Sequence, residues 1–328
     1  MKFLITGGAG FIGSHLCNAL VKKGHKISVV DNLFRGKYEN IELLINNENS
    51  FYNIDMSDKN NINKLADIIK KSQPEVIVHY AAINGTQYFY DLSAKVLDDN
   101  TMITYNLLEA LKKIKQDKIS SDCNPIVIFS SSSEVYGEPF NLPTSENDMT
   151  YIRLEENRDC YAASKLFGEF FIKHVCDEIG IDWLILRIFN VYGENMVGTK
   201  YGQVVPEFIN RLENKEYPLN IFGDGTHRRS FCYIEDHINI TLELIEKKVK
   251  NEVINLGNPV EVSILDLARI IMEKLGLAFK VNYLHERSGD HKRRQPDISK
   301  LTKIIGDYTF ISLDDGIGRI IENKRCKH

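Results

Sequence analysis

Tyr161 and Lys165 are the two residues of this sequence whose types and spacing most directly suggest chemistry. Residues four positions apart on a helix lie on one face, a turn apart, so the two side chains can meet. A free tyrosine has a pKa of about 10, and ionising it at pH 7 costs roughly 4 kcal/mol. A neighbouring ammonium group favours the phenolate and lowers this cost. We therefore predict that Tyr161 accepts a proton from a substrate hydroxyl and that Lys165 tunes its pKa.

When a hydroxyl group loses its proton, the carbon that bears it can lose a hydride if a hydride acceptor is bound nearby. The start of the chain predicts such an acceptor. An apolar strand at Lys2–Thr6 runs into a glycine-rich turn at 7–13, and a helical pattern follows at 14–21. Glycines three apart in this unit place the pyrophosphate of a dinucleotide at the helix N-terminus. The candidate cofactor-binding residues of the turn are Gly7, Gly10, Phe11, Ile12 and Gly13.

Asp31 indicates which dinucleotide is bound. It ends a second apolar strand, where a carboxylate accepts hydrogen bonds from the adenosine ribose hydroxyls and repels a 2′-phosphate. The sequence therefore predicts NAD rather than NADP as the cofactor. Asn32 is a further cofactor-binding candidate, and we expect Arg35 to be a solvated loop arginine rather than a phosphate ligand.

Three predicted strands, at 51–54, 75–79 and 126–129, are followed by polar or small residues. Ligands of parallel sheets collect at such strand ends. Small side chains let a cofactor approach closely, whereas a carboxylate and a thioether can contact its adenine ring. The candidates at these strand ends are Asp55, Met56, Ala81, Ala82 and the polar cluster that contains Ser132, Ser133 and Glu134.

The elements that must position these residues alternate between strands and helices. Further helical patterns cover about 94–113 and 161–178, and further strands are predicted at 183–187 and 251–255. Apolar runs separated by amphipathic helices predict an α/β fold, a Rossmann-type doubly wound parallel sheet, with a smaller C-terminal substrate-binding lobe. We assign residues 1–188 and about 228–258 to the NAD-binding domain. Residues of about 189–227 and 259–328 then form the second lobe.

The composition is that of a globular enzyme with a large apolar core, since 43% of its 328 residues are hydrophobic. The formal net charge of −4 provides no electrostatic footprint for nucleic acid. No apolar stretch has the length of a membrane span, and the N-terminus lacks the pattern of a signal peptide. The six cysteines have no paired spacing, so we predict neither a metal site nor a disulfide framework, and a cytoplasmic location.

The chain resembles the extended short-chain dehydrogenase/reductases of the NAD-dependent epimerase/dehydratase family, which act on nucleotide-linked sugars. The resemblance extends over nearly the whole chain and depends on several motifs in order. Besides the residues above, the motifs contain Asn100, Val135-Tyr-Gly137, Arg187-Ile-Phe-Asn190-Val-Tyr-Gly193, Arg228-Arg229-Ser-Phe231, Asn255-Leu-Gly257, Arg287-Ser-Gly-Asp290 and Arg293-Arg294-Gln-Pro-Asp297.

This resemblance implies that the sugar 4-hydroxyl loses its proton to Tyr161 and a hydride to NAD. Ser132 would hydrogen-bond the same oxygen, and Lys165 would also hold the nicotinamide ribose. The implied partners are a nucleotide-diphosphate sugar, bound in the second lobe, and a second copy of the chain in a homodimer. The residues implied in binding are Asn100 for the cofactor and Ser133, Asn190, Val205, Arg229, Arg287 and Asp290 for the substrate.

The fate of the resulting 4-keto sugar stays open at Ser132-Ser133-Glu134. Thymidine-diphosphate-glucose 4,6-dehydratases place an acid where Ser133 stands, whereas nucleotide-sugar decarboxylases and GDP-mannose-type dehydratases share the Ser/Thr-Ser-Glu arrangement. Segments 29–32 and 202–206 are also similar to those of decarboxylases. We predict an epimerase/dehydratase-type enzyme that oxidises C4. The alternatives are a UDP-glucuronate-type decarboxylase, a net C4 dehydrogenase and a catalytically silent NAD-binding regulator.

Overall fold

A computed structural model describes residues 1–117, 123–196, 203–286 and 291–326. Numbered along the chain, the strands are β1 (Lys2–Thr6), β2 (Lys26–Asp31), β3 (Ser50–Asn53), β4 (Val76–His79), β5 (Ile126–Ser132), β6 (Trp183–Ile188), β7 (Val191–Tyr192), β8 (Leu219–Phe222), β9 (Arg228–Ser230), β10 (Cys232–Tyr233), β11 (Glu252–Leu256), β12 (Glu261–Ser263) and β13 (Val281–Leu284). The α-helices are α1 (Phe11–Lys22), α2 (Ile62–Ser72), α3 (Thr86–Asp91), α4 (Ser93–Gln116), α5 (Asp159–Ile179), α6 (Val204–Glu213), α7 (Ile234–Glu246), α8 (Ile264–Lys274), α9 (Ser299–Ile305) and α10 (Leu313–Cys326).

Seven of the strands form one parallel sheet in the order β11-β6-β5-β4-β1-β2-β3. The chain builds this sheet from β1 outward to β3, and then continues on the other side from β4. The change of direction leaves a crevice between the carboxyl ends of β1 and β4, where ligands of such sheets bind. The predicted fold class is confirmed.

Helices cover both faces of this sheet because alternate residues of a strand point to opposite faces. Leu4 of β1 belongs to the apolar cluster that contains residues of α2, α4 and α5. Its neighbours Phe3 and Ile5 belong to the cluster that contains residues of α1 and α7. The sheet is therefore buried on both sides, as its continuous apolar runs predict.

Outside the main sheet, short strands that lie between β6 and β11 and after β11 form three pairs. β7 pairs with β10 and β8 with β13 in parallel, whereas β9 and β12 are antiparallel. The apolar cluster beneath these strands is continuous with that of α1 and α7. The proposed boundary between the two domains therefore stays a prediction.

The serine cluster differs from the prediction, because β5 continues through Ser132 instead of ending at Phe129. Buried hydroxyl groups are tolerated inside a strand where they find hydrogen-bond partners. Ser130 Oγ donates to the carbonyl oxygen of His79 (2.9 Å), and Ser131 Oγ donates to Glu169 Oε1 (2.5 Å).

Within the described residues, no helix is both long and apolar enough to cross a membrane.

Candidate active site

A cavity of about 660 Å³ opens at the carboxyl ends of β1, β2, β4 and β5. Its wall includes the glycine-rich turn, the loops after β2 and β4, and the first two turns of α5. Most of the predicted site residues lie in this wall, namely Gly7, Gly10, Phe11, Ile12, Gly13, Asp31, Asn32, Met56, Ala81, Ala82, Ser132, Ser133, Glu134, Tyr161, Lys165 and Asn190. One cavity therefore brings the predicted catalytic residues and most of the predicted cofactor-binding residues together.

The glycine-rich turn packs α1 tightly against the sheet and leaves one side open. A Cβ atom at Gly13 would lie 2.2 Å from the carbonyl oxygen of Gly7, so no larger residue fits there. A Cβ atom at Gly10 would lie 3.2 Å from the same oxygen, with no other non-adjacent atom of the described residues within 4 Å. A phosphate approaching Gly10 would meet the free N–H groups at the start of α1. The turn therefore fits the pyrophosphate of NAD.

Asp31 connects the glycine-rich turn to the loop after β2. Its Oδ2 accepts a hydrogen bond from Ala9 N (3.0 Å), and its Oδ1 accepts one from Leu33 N (2.8 Å). Burial raises the pKa of Asp31, and the two backbone N–H groups oppose this rise. Since a carboxylate oxygen can accept more than one hydrogen bond, Asp31 keeps capacity for the ribose hydroxyls of a dinucleotide.

The expectation that Arg35 is a solvated loop arginine is wrong. Arg35 is half-buried in the cavity wall, with its guanidinium carbon 5.5 Å from the centre of the Tyr88 ring. Burial lowers the pKa of Arg35. The partner ring belongs to α3, which is distant in the sequence, and the composition of the loop around Arg35 therefore did not reveal the contact.

Two predicted cofactor-binding residues lie outside the cavity wall. The carboxylate of Asp55 is exposed and accepts hydrogen bonds from the backbone and the hydroxyl of Ser57 (2.9 and 2.7 Å). Asn100 is buried and exchanges two hydrogen bonds with the backbone of Ile83 (2.7 and 3.1 Å). Because Ile83 lines the cavity, Asn100 holds the loop after β4 in place. Direct contact of either residue with a cofactor stays a prediction.

Tyr161 and Lys165 lie side by side on α5, as their spacing predicts. The ring of Tyr161 stacks on Phe89, with 4.8 Å between the ring centres and 16° between the planes. Lys165 Nζ donates to the carbonyl oxygen of Ser130 (2.8 Å) and lies 5.7 Å from the centre of the Tyr161 ring. These contacts fix both side chains at the end of β5.

The electrostatic surroundings of Tyr161 differ from the expectation. Burial raises the pKa of Tyr161, Glu134 raises it further, and a hydrogen bond with Ser132 opposes the rise. Burial also lowers the pKa of Lys165, to about 7. The guanidinium group of Arg35 also lowers the pKa of Tyr161, but burial outweighs both opposing effects, so a further positive charge is needed to favour the phenolate.

Glu134 is bound by two arginines and faces a histidine. Arg158 Nη2 donates to Oε1 (3.0 Å) and Arg158 Nε donates to Oε2 (3.4 Å), while Arg294 Nη1 also donates to Oε1. His291 Nε2 lies 3.6 Å from Oε2. Burial alone would raise the pKa of Glu134, but the two guanidinium groups hold it well below its usual value. Glu134 is therefore an ionised carboxylate in the cavity wall. Its backbone N–H donates to Ser132 Oγ (3.2 Å).

The predicted substrate-binding residues are not all in one place. Asn190 lines the cavity, whereas the buried Arg229 donates to two backbone carbonyl oxygens (2.9 and 3.3 Å). Val205 of α6 borders a separate cavity of about 90 Å³. The predicted residues that lie outside the described part of the chain are Arg287, Asp290 and Gly202 of the decarboxylase-like segment.

Glu134, Arg158, His291 and Arg294 form a group that we call the Glu134 cluster. Its last three residues were not among the predicted site residues. Arg294 belongs to a motif of the family, but an arginine in that motif is equally compatible with a solvated turn. Arg158 has no recognisable pattern around it apart from its position shortly before Tyr161. His291 has no sequence signal at all, because its role as a neighbour of Glu134 depends on a contact between distant segments.

Comparisons with known proteins identify relatives of the whole chain. A family model described as the NAD dependent epimerase/dehydratase family matches residues 3–257. The chain is 33% identical to the UDP-N-acetyl-alpha-D-glucosaminuronate decarboxylase of Bacillus cytotoxicus, over 98% of this chain and 97% of that protein. It is also 33% identical to UDP-glucuronic acid decarboxylase 1 of Xenopus tropicalis, over 100% of this chain and 73% of that protein. Among solved structures, the UDP-glucuronic acid 4-epimerase of Bacillus cereus, in complex with UDP-glucuronic acid and NAD, has a TM-score of 0.84, with 32% identity and 100% coverage of both chains.

Proposed function

Because the chain belongs to the NAD-dependent epimerase/dehydratase family, we propose that it decarboxylates a UDP-linked hexuronic acid after oxidising the sugar at C4. The observation that carries this proposal is the buried cluster of Glu134, Arg158 and Arg294, which places charges beside the predicted catalytic residues. A simple 4-epimerase needs only the serine, tyrosine and lysine. A reaction in which a carboxylate is bound and lost needs charged groups as well.

The first step is the oxidation of C4, and it requires Ser132, Tyr161 and Lys165. Tyr161 accepts the proton of the 4-hydroxyl, and Ser132 hydrogen-bonds the same oxygen. Bound NAD supplies the hydride acceptor and, through its positive nicotinamide ring, a charge that favours the phenolate. The glycine-rich turn, Asp31 and Lys165 would hold this cofactor. Burial of Lys165 keeps its side chain fixed against Ser130 while the proton moves.

Loss of carbon dioxide follows from the chemistry of the oxidised sugar. A hexuronic acid with a ketone at C4 is a β-keto acid, because its carboxylate is attached to C5. The bond between C5 and the carboxylate can then break, and its electron pair is delocalised onto the C4 oxygen. Ser132 and the protonated Tyr161 donate hydrogen bonds to this oxygen and stabilise the enolate. Protonation at C5 and return of the hydride to C4 complete the reaction.

The Glu134 cluster can both bind the carboxylate and favour its departure. Nε and Nη2 of Arg294 are buried and have no hydrogen-bond partner among the described residues. A guanidinium group with two free N–H donors binds a carboxylate in bidentate fashion. The negative charge of Glu134 repels the carboxylate of the substrate but not neutral carbon dioxide, and this difference favours the loss of carbon dioxide. Glu134 lines the cavity and Arg294 contacts it from behind, so we assign the electrostatic role to Glu134 and propose that the carboxylate reaches the unpaired nitrogens of Arg294 beside it.

The names of the related proteins support a hexuronic acid as the substrate. The two relatives from Bacillus cytotoxicus and Xenopus tropicalis are decarboxylases of UDP-linked uronic acids. The structurally similar Bacillus cereus protein was crystallised with UDP-glucuronic acid. These names share both the uridine diphosphate and the sugar carboxylate, and this proposal adopts both for the present chain.

Mass spectrometry of the products tests the proposal. The purified protein is incubated with NAD and either UDP-glucuronic acid or UDP-N-acetylglucosaminuronic acid, and UDP-glucose serves as the matched substrate without a carboxylate. We expect a product that is lighter by one carbon dioxide from at least one uronic acid. If neither uronic acid loses carbon dioxide, the proposed decarboxylase activity is contradicted.

A hexuronate 4-epimerase is the second candidate, and the match over the full length of the Bacillus cereus epimerase favours it. This enzyme would return the hydride to the other face of C4 and would leave the mass of the sugar unchanged. Chromatographic separation of the two C4 epimers distinguishes this outcome from an unreacted substrate.

We also propose a homodimer that forms through α4 and α5. Leu97 of α4 and Phe170 of α5 are exposed apolar side chains on two helices that pack against each other. Light scattering coupled to size-exclusion chromatography would measure the mass in solution, and the double substitution of both residues by aspartate should reduce it to that of a monomer. The cytoplasmic location stays a prediction from the sequence.

A further inference from the structure

His291 lies between two glutamates that face opposite ends of its ring. Its Nε2 is 3.6 Å from Glu134 Oε2, and its Nδ1 is 3.3 Å from Glu138 Oε2. Only 1% of the His291 side chain is exposed, and neither ring nitrogen has a hydrogen-bond partner among the described residues. Buried polar groups without a partner are rare in folded proteins, and they are often functional.

The three side chains connect solvent to the cavity. Glu138 is 45% exposed, and its Oε2 also accepts a hydrogen bond from Lys292 N (3.1 Å), which holds the carboxylate near the histidine. Glu134 lines the cavity at the other end of the path. A proton that enters at Glu138 therefore has a titratable group at each stage until it reaches the reaction site.

The proposed reaction needs one proton from outside in every turnover. The proton of the 4-hydroxyl passes to Tyr161 and returns to the same oxygen, and the hydride leaves C4 and returns to it. The electron pair left by carbon dioxide, in contrast, forms a new bond between C5 and hydrogen. The conversion of a carboxylate into carbon dioxide and a C–H bond thus consumes one proton. A 4-epimerase has no such requirement.

Resting on the proposed decarboxylation, we propose that Glu138, His291 and Glu134 form a relay that carries this proton from solvent to the cavity. His291 would act through Glu134 without touching the substrate. The gaps along the relay are 3.3 and 3.6 Å and neither contact has the geometry of a hydrogen bond, but such contacts often tighten when the substrate binds.

The charges around His291 suit transient protonation. The groups that face it are Glu134, Glu138, Arg158 and Arg294. Burial lowers the pKa of His291, and the two arginines add to the decrease, whereas Glu134 opposes it. The arginines likewise hold the pKa of Glu134 well below its usual value. Neither group traps a proton, so a proton accepted at Glu138 can move on towards the cavity.

Substitution of His291 by Asn tests the relay, since Asn is polar but cannot carry a proton. Glu138→Gln interrupts the entrance, and Glu155→Gln changes an exposed glutamate of the loop before α5 as the matched control. Single-turnover experiments with the uronic acid and bound NAD follow the absorbance of reduced nicotinamide and the release of carbon dioxide. We expect reduced nicotinamide to form at the normal rate in His291→Asn. Its reoxidation should slow by about 10²-fold, because the enolate waits for its proton.

Rescue by a small acid keeps the relay testable if His291→Asn is poorly folded. Added imidazole should restore reoxidation in His291→Ala, where it can occupy the space of the ring, and should leave Glu155→Gln unchanged. Glu138 is on the surface, so Glu138→Gln should fold normally and should slow reoxidation by several-fold at high pH, where free protons are scarce. NAD binding measured by calorimetry confirms that each variant is folded.

Two results would separate the failure of the relay from the failure of the proposed function. If the wild type releases carbon dioxide while His291→Asn and Glu138→Gln both reoxidise nicotinamide as fast as Glu155→Gln does, the relay is wrong and the decarboxylase stands. If the wild type releases no carbon dioxide from either uronic acid, the proposed function is wrong, and the relay fails with it.

Discussion

Two buried carboxylate–guanidinium clusters lie near the end of β5, and they differ in how completely they are hydrogen-bonded. In the first, Arg187 donates to both oxygens of Glu169 (2.9 and 2.8 Å) and to the hydroxyl of Tyr136 (3.0 Å). Arg187 also donates to a backbone carbonyl oxygen, and Ser131 donates to Glu169. We call this group the Glu169 cluster. Among the described residues, every buried side-chain nitrogen of Arg187 has a hydrogen-bond partner.

The second group, the Glu134 cluster, consists of Glu134, Arg158, His291 and Arg294 and is incomplete. Two nitrogens of Arg294 and both ring nitrogens of His291 are buried without a hydrogen-bond partner among the described residues. An unpaired buried polar group costs about 1–3 kcal/mol, so a fold that served stability alone would not retain four such atoms in one place.

The difference indicates separate roles for two groups of similar composition. A satisfied network makes the local structure rigid, whereas an unsatisfied one has free capacity for a ligand or a proton. We therefore expect substitutions in the Glu169 cluster to reduce stability and substitutions in the Glu134 cluster to reduce activity.

The largest effect is expected from Arg187→Met, which leaves Glu169 buried without its partner. Breaking a buried pair in this way costs about 3–5 kcal/mol, so the free energy of unfolding should fall by that amount. Urea denaturation followed by the fluorescence of Trp183 measures it. The control is Lys247→Met, which removes an ion pair with Glu243 whose lysine is 45% exposed, and there the change should stay below about 1 kcal/mol. Equal losses in both variants would contradict a structural role of the Glu169 cluster.

Glu134→Gln should reduce activity and leave the fold intact, because glutamine has nearly the same shape but no charge. We expect the oxidation of C4 to be retained and the release of carbon dioxide to slow by about 10²–10³-fold, the scale of one lost electrostatic contact in an active site. Reduced nicotinamide and carbon dioxide are measured in the same single-turnover experiment. Tyr161→Phe is the control, and it should lose both steps. Normal release of carbon dioxide from Glu134→Gln would show that the charge has no role beyond C4.

Asp31 is intermediate between the two clusters, since each of its oxygens has one backbone partner and capacity for another. Asp31→Ala should weaken NAD binding by about 1.5–3 kcal/mol, the value of a hydrogen bond to a charged group. The preference for NAD over NADP should narrow as well, because the repulsive charge is removed. Calorimetric titration of both dinucleotides tests this expectation. Equal affinity of the wild type for NAD and NADP would show that Asp31 does not select the cofactor.

Lys165 provides the fourth test, since it is a buried cation next to a carbonyl oxygen. Burial lowers its pKa in the folded protein to about 7, whereas an unfolded lysine titrates at about 10.4. The unfolded chain therefore binds the additional proton between these values, and this residue makes stability rise with pH in that window. Below about pH 7 the folded state bears the full cost of the buried charge.

The melting temperatures of the wild type and of Lys165→Met, measured from pH 6 to pH 10, test this sign. The variant should gain most relative to the wild type at the acidic end, and the gain should shrink towards the alkaline end. Parallel curves would mean that Lys165 is not titrating in this window.

Local patterns were sufficient for the fold class and for the cofactor. The glycine-rich turn, Asp31 and the pair of Tyr161 and Lys165 each lie within one short segment, where spacing alone decides which groups can meet. The strand-end rule also placed Ser132 and Glu134 correctly in the cavity wall, because the carboxyl ends of parallel strands meet at one edge of the sheet. How these residues act stays a prediction that the experiments above address.

Contacts between distant segments were beyond the reach of these patterns. The position of Arg35 against Tyr88, the support of Ile83 by Asn100 and the extension of β5 through its serines all depend on neighbours that come from other parts of the chain. Short-range spacing contains no information on such neighbours. The sequence analysis therefore gave Arg35 different surroundings and did not predict that Asn100 supports Ile83.

The sequence by itself thus determined the sheet, the glycine-rich turn and the adjacency of Tyr161 and Lys165, since each follows from the geometry of strands and helices. Only the tertiary structure decided that Glu134 meets Arg158, His291 and Arg294, which come from the loop before α5 and from the segment after β13. The physical reason is that charge and hydrogen-bond capacity become unsatisfied only on burial, and burial is a property of the folded chain.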